Sequence, residues 1–140
     1  MERYIVSACL VGKNTKYNGG NNKNDNIINF LKDKEYILVC PEVSGGLLTP
    51  RVPSEIVNDK VINKEGIDVT YEFKHGAKKE IERLKEFNAT IAILKSKSPS
   101  CGLNEIYDGT FSSTLKEGDG VFVQELKKLG IKILTELDFK

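Results

Sequence analysis

Tyr36-Ile37-Leu38-Val39-Cys40, closed by Pro41, is the stretch that decides the fold. The run is too short for a helix and too continuous for a strand with one wet face, so it reads as a strand buried on both faces, the mark of a parallel sheet. Similar runs stand on either side. Tyr4-Ile5-Val6-Ser7-Ala8 runs into Cys9 and a polar, glycine-bearing loop from Gly12 to Asn24. Thr90-Ile91-Ala92-Ile93-Leu94 leads into a loop rich in Ser, Pro and Gly from Lys95 to Gly109, and Ile131-Lys132-Ile133-Leu134 is the last strand.

Helical patterns fill the gaps. Asn24 or Asp25 caps a helix with Ile27, Ile28 and Leu31 on one stripe, ending near Lys32-Asp33-Lys34. Asp68 or Thr70 caps a long helix in which Phe73, Ala77, Ile81 and Leu84 recur at helical spacing while its lysines and glutamates face water. Gly118-Asp119-Gly120 introduces a third helix carrying Val121, Leu126 and Leu129, closed by Gly130. Pro50 and Pro53 keep Thr49 to Ser54 extended, and Glu55 to Ile62 folds as a small hairpin around Asn58-Asp59-Lys60. Alternation of strand and helix predicts an α/β, Rossmann-like fold: a single domain over residues 1–140, mainly parallel sheet of about four strands, with helices on both faces.

Length and charge narrow the function. At 140 residues the chain is the size of one domain, and 21 Lys plus Arg against 20 Asp plus Glu give a formal charge of +1. That balance provides no dominant field for nucleic acid or an anionic membrane. No run of about eighteen apolar residues suggests a membrane span, and the strand-like opening points to a cytoplasmic protein, where disulfides rarely persist. The three cysteines, Cys9, Cys40 and Cys101, are the feature to explain, because three cannot all pair.

Cys9 follows the first strand, Cys40 ends the second, and Cys101 lies in the loop after the third. In a parallel sheet, ligands sit outside the carboxyl ends of the strands, so the three thiols converge on one crevice if their strands are neighbours. One reading makes them small buried hydrophobes. Their turn-forming surroundings, Cys40-Pro41-Glu42 and Ser98-Pro99-Ser100-Cys101-Gly102, favour a site instead. A cysteine nucleophile would want a histidine, and the single one, His75, falls on the long helix away from the strand ends. Thiolates without imidazole suit zinc or iron-sulfur ligation, though no Cys-x-x-Cys knuckle is present. Glu42 would be carried into the same crevice as a candidate general base.

With these residues assembled, the sequence resembles the thiouracil desulfidase family. The likeness rests on Ser7-Ala8-Cys9-Leu10-Val11-Gly12, Cys40-Pro41-Glu42-Val43-Ser44-Gly45-Gly46-Leu47, Pro50-Arg51-Val52-Pro53-Ser54-Glu55-Ile56, Lys95-Ser96-Lys97-Ser98-Pro99-Ser100-Cys101-Gly102 and Tyr107-Asp108-Gly109-Thr110-Phe111. It covers nearly the whole chain in order.

The resemblance implies a [4Fe-4S] cluster held by Cys9, Cys40 and Cys101, with one iron open. It also implies removal of sulfur from thiouracil-type bases, nucleosides or nucleotides, C=S becoming C=O with release of sulfide. Glu42 then activates water, Ser100 assists, and Ser7, Lys16, Tyr17, Arg51 and Ser98 contact substrate. The implied partner is a small thiolated pyrimidine rather than nucleic acid or membrane, and the chain is expected as a monomer or homodimer. Lys16-Tyr17-Asn18-Gly19 departs from the commoner Arg-Tyr-Asp-Gly of relatives, exchanging a planar fork for a point charge, and Thr15 stands where some carry a further cysteine. The helical extra domain of RNA-acting relatives is absent, which favours a free base or nucleotide. An alternative remains a non-catalytic iron-sulfur or zinc protein that senses metal or sulfur status.

Overall fold

The computed structural model describes residues 2–139. Four strands form a wholly parallel sheet: β1 (Arg3–Ser7), β2 (Glu35–Val39), β5 (Ile91–Leu94) and β8 (Lys132–Thr135), in the order β2-β1-β5-β8. The other strands make two antiparallel pairs, β3 (Ser54–Val57) with β4 (Lys60–Asn63) and β6 (Glu105–Tyr107) with β7 (Leu115–Glu117). The helices are α1 (Asp25–Leu31), α2 (Pro41–Ser44), α3 (Thr70–Phe87) and α4 (Val121–Lys128).

The period of two along each strand sends alternate side chains to two separate cores. Ile5, Ala92 and Leu94 pack with Phe73, Ala77, Leu84, Phe122 and Leu126 beneath α3 and α4. Tyr4, Val6, Ile91 and Ile93 pack with Ile27 and Leu31 of α1 on the opposite face. Helices therefore cover both faces of the sheet. Phe73 and Phe122 are completely buried, and each such side chain contributes roughly 1.5–3 kcal/mol by leaving water.

Several elements differ from the sequence reading, each for a tertiary reason. β2 is an edge strand rather than a strand buried on both faces: Tyr36 keeps 40% of its surface exposed, and β5 is the strand whose four residues are all buried. The residue preceding α3 is Val69. Asp68 instead accepts the Thr70 N–H at 2.9 Å, and the Thr70 hydroxyl accepts the Val61 N–H at 2.8 Å. Leu129 is exposed at the end of α4, just before Gly130 takes φ 72°. The segment read as loop from Lys95 to Gly109 contains β6, which pairs with β7. Not all acidic residues of α3 face water, because Glu80 is completely buried.

Candidate active site

β1 lies between β2 and β5, so the segments leaving the carboxyl ends of these strands emerge side by side. Sequence order reverses at β1, which makes this the switch point where α/β sheets open a crevice. Cys9 sits in a 3-10 turn (Ala8–Val11) directly after β1, Cys40 directly follows β2, and Cys101 lies in the turn after β5. All three line one cavity of about 420 Å³, within the range of small-molecule sites.

Local chemistry fixes each cysteine. Gly12 ends the first turn at φ 97°, and the chain folds back so that Asn22 donates its backbone N–H to the Cys9 carbonyl at 2.9 Å and its side-chain amide to Cys9 Sγ at 3.4 Å. Cys40 is the last residue before Pro41, which starts α2 with the fixed φ that a first helical position needs. Ser98 Oγ accepts the Cys101 N–H at 2.7 Å, and the Ser98 carbonyl accepts the Gly102 N–H at 2.9 Å, closing a tight turn. The first residues of α4 hold that turn from behind, Phe122 N–H donating to the Ser100 carbonyl at 2.9 Å.

Burial governs the thiols. It pushes Cys101 up to about 12, against the lowering influence of the Ser7 and Ser100 hydroxyls. Burial also raises Cys9 and Cys40, opposed at Cys9 by the Asn22 amide and at Cys40 by the Val43 N–H at the start of α2. Each ionised thiol would further raise a neighbour, Cys40 acting on Cys9 and both acting on Cys101. Buried thiols of this kind stay protonated until a metal takes the proton's place.

Glu42 stands at the rim of the same cavity with both oxygens engaged. Oε1 accepts Arg51 Nε at 3.1 Å, and Oε2 accepts the Ser100 hydroxyl at 2.8 Å. Ser100 Oγ is also 3.2 Å from Ser98 Oγ and 3.6 Å from Cys101 Sγ. Carboxylate, hydroxyl and thiol therefore form one contiguous row.

The other residues singled out from the sequence also border the cavity, in differing states. Ser7 is buried and accepts the Lys95 N–H at 3.1 Å. Lys16 places its ammonium 5.8 Å from the centroid of the Tyr17 ring, which is 40% exposed. Arg51 is largely committed to the protein: besides Glu42 it donates to Thr49 Oγ1 at 2.9 Å and to the carbonyls of Leu48 and Thr15 at 3.3 and 2.8 Å. His75 lies outside the cavity, stacked on Tyr71.

Structure adds residues that sequence reasoning passed over. Glu55 Oε1 accepts the N–H groups of Gly109 and Phe111 at 2.9 and 3.1 Å and so holds the β6-β7 connection against the cavity. Glu136 receives the Ser96 N–H and hydroxyl at 2.8 and 2.6 Å and pairs with Lys95 at 3.1 Å. Burial pushes the Glu136 carboxyl up, but these partners bring it below its ordinary value. Asn22 and Glu136 carry no local sequence signal for a site, since their partners come from distant segments.

The donor set fits an iron-sulfur group better than a lone ion. Three sulfurs without an imidazole border a cavity with room beyond them, a donor chemistry that suits such a group. Among the described residues, no group of three or more His, Cys, Asp or Glu side chains is gathered closely enough to hold a metal ion.

Comparison with known proteins agrees with this fold. The sequence model of the 2-thiouracil desulfurase family matches residues 4–138. The uncharacterized protein YbbK of Bacillus subtilis (strain 168) is 38% identical over 142 residues, spanning 94% of each chain. A solved structure of the [4Fe-4S]-dependent thiouracil desulfidase TudS superposes with a TM-score of 0.93 at 36% identity, covering 99% of this chain and 93% of its own.

Proposed function

The chain belongs to the 2-thiouracil desulfurase family, and on that footing we propose that it is a [4Fe-4S]-dependent desulfidase that hydrolyses the C=S group of a thiolated pyrimidine. Residues 1–140 act as one desulfidase domain. Cys9, Cys40 and Cys101 hold the cluster, which when bound supplies an iron without a protein ligand, a Lewis acid toward the thiocarbonyl sulfur. The net reaction adds water to C=S and yields C=O and hydrogen sulfide. A carbon-oxygen bond forms, the carbon-sulfur bond breaks with its electrons going to sulfur, and both protons come from water, so no oxidant or reductant is consumed.

The chain's own groups handle the protons. Arg51 fixes Glu42 through Oε1, leaving Oε2 to take a proton from the attacking water. Ser100 Oγ, bonded to that oxygen, passes a proton on toward the departing sulfur. Ser98 holds the turn that aims Ser100 and Cys101, while Ser7 lies against Cys101. Tyr17 offers a flat face for the ring, and Lys16, Lys64 and Lys97 bring positive charge to the cavity, which suits a substrate extended by a phosphate. The observation that carries this reading is the 2.8 Å bond from Ser100 to Glu42, which joins segments 58 residues apart beside three thiols.

Anaerobic purification tests it. The protein is expected to be brown, with about four irons per chain, and to release sulfide from 4-thiouracil or its nucleotide. Each of Cys9→Ser, Cys40→Ser and Cys101→Ser should lose iron. A colourless zinc protein, or an intact cluster that frees no sulfide from any thiolated pyrimidine, would overturn the proposal and return the chain to a sensing role.

A further inference from the structure

Glu80 has no place in the polar stripe to which its neighbours on α3 belong. Its exposure is 0%, and a buried carboxylate persists only when paired and hydrogen-bonded. Oε2 accepts the Cys40 N–H at 2.7 Å, while Oε1 accepts Arg83 Nη1 at 2.8 Å. The same Arg83 nitrogen donates to the Leu38 carbonyl at 3.0 Å. One turn of α3 thus grips the end of β2 at the backbone of Leu38 and of Cys40.

A second contact reinforces the grip. A Cβ on Gly76 would collide with the Pro41 carbonyl, and one on Gly45 would collide with the Glu72 carbonyl. Backbone therefore meets backbone where α2 crosses α3. Gly76 and Glu80 stand one turn apart on α3, so a single face of that helix holds the corner, at Pro41 through the glycine contact and at Cys40 through the carboxylate.

We infer that Glu80 is a positioning residue for the metal centre: through the Cys40 N–H it fixes the backbone from which the Cys40 thiol and the Glu42 carboxylate project. The inference rests on the cluster reading above. Groups that orient metal ligands typically change metal affinity by about 10- to 100-fold. With its N–H committed to Glu80, Cys40 cannot donate that hydrogen to sulfur. Nearby charge helps set the potential of such a centre, so losing the Glu80 carboxylate, which leaves the Arg83 guanidinium without this partner, moves the potential upward.

The test uses full-length protein reconstituted anaerobically, reading iron loss to a chelator, reduction potential and melting temperature without iron. Glu80→Ala is expected to weaken iron retention about 10- to 100-fold and to raise the potential. Glu80→Gln, whose amide oxygen can still accept the Cys40 N–H, should recover most of the retention. Leu84→Ala, a core change on the same helix, should lower the melting temperature while leaving the potential where it is. An unchanged potential and wild-type iron loss in Glu80→Ala would overturn the inference, as would equally fast iron loss in Leu84→Ala. Should Glu80→Ala fail to fold, Glu80→Asp, one methylene short of the Cys40 N–H, takes its place with the same two outcomes. A wild-type chain that holds no iron would overturn the cluster reading instead.

Discussion

Glu42 uses its two oxygens differently, and that division makes its role testable. Oε1 belongs to Arg51 and Oε2 to Ser100, so a glutamine there can still accept from Arg51 while presenting an amide to the serine. The shape of the site survives, but the proton acceptor is gone. General-base catalysis contributes about 10²- to 10⁴-fold. Glu42→Gln is therefore expected to keep its iron and visible spectrum while sulfide release falls by about that factor; turnover within a few-fold of wild type would remove Glu42 from the role. At this scale the sequence was readable in part. Glu42 stood two residues from Cys40 in a strand-end turn, and that proximity marked it. What Arg51 does was not readable, because its partners Glu42 and Thr15 lie 9 and 36 residues away and meet it only once the loops fold together.

Among the elements, the crossing of α2 and α3 decides where the site stands. Gly76 falls in mid-helix, where glycine costs about 1 kcal/mol relative to alanine. Its place follows from the Pro41 carbonyl, which occupies the space a Cβ would need. Gly76→Ala should accordingly destabilise the fold despite its better helix propensity, by about 1–3 kcal/mol as other overpacked contacts do, with a lower midpoint in chemical denaturation. A rise in stability would show that α2 is free to move away. The same crossing explains what sequence patterning could and could not supply. Apolar runs and helical spacing located the four sheet strands and the long helix, since those signals are local. β6 and β7, each three residues long, offer too short a pattern to stand out from a Ser- and Gly-rich loop. The edge position of β2 and the burial of Glu80 arise from which surfaces meet, and no window of sequence contains that.

For the whole molecule, the strand order brings three thiols from distant positions to one cavity, and protonation couples them to stability. Burial raises all three thiols above their ordinary value, Cys101 to about 12. A folded-state pKa above the unfolded one favours the fold below the unfolded pKa, and the benefit is lost as pH climbs toward the folded value. The iron-free chain should therefore lose stability as pH rises from about 8 to 10, the range where an unfolded cysteine ionises near 8.5. Ligation has the opposite sign, because each thiol must release its proton to bind metal, so acid competes and alkali assists. Anaerobic melting curves with and without iron should diverge as pH rises, the loaded protein standing further above the stripped one at pH 9 than at pH 7. A Cys9→Ser, Cys40→Ser, Cys101→Ser triple variant separates these thiols from every other titrating group: its stability should fall less over the same range than that of the stripped wild type. A gap between loaded and stripped protein that stays constant or narrows with rising pH would show that these thiols do not release protons to the metal centre.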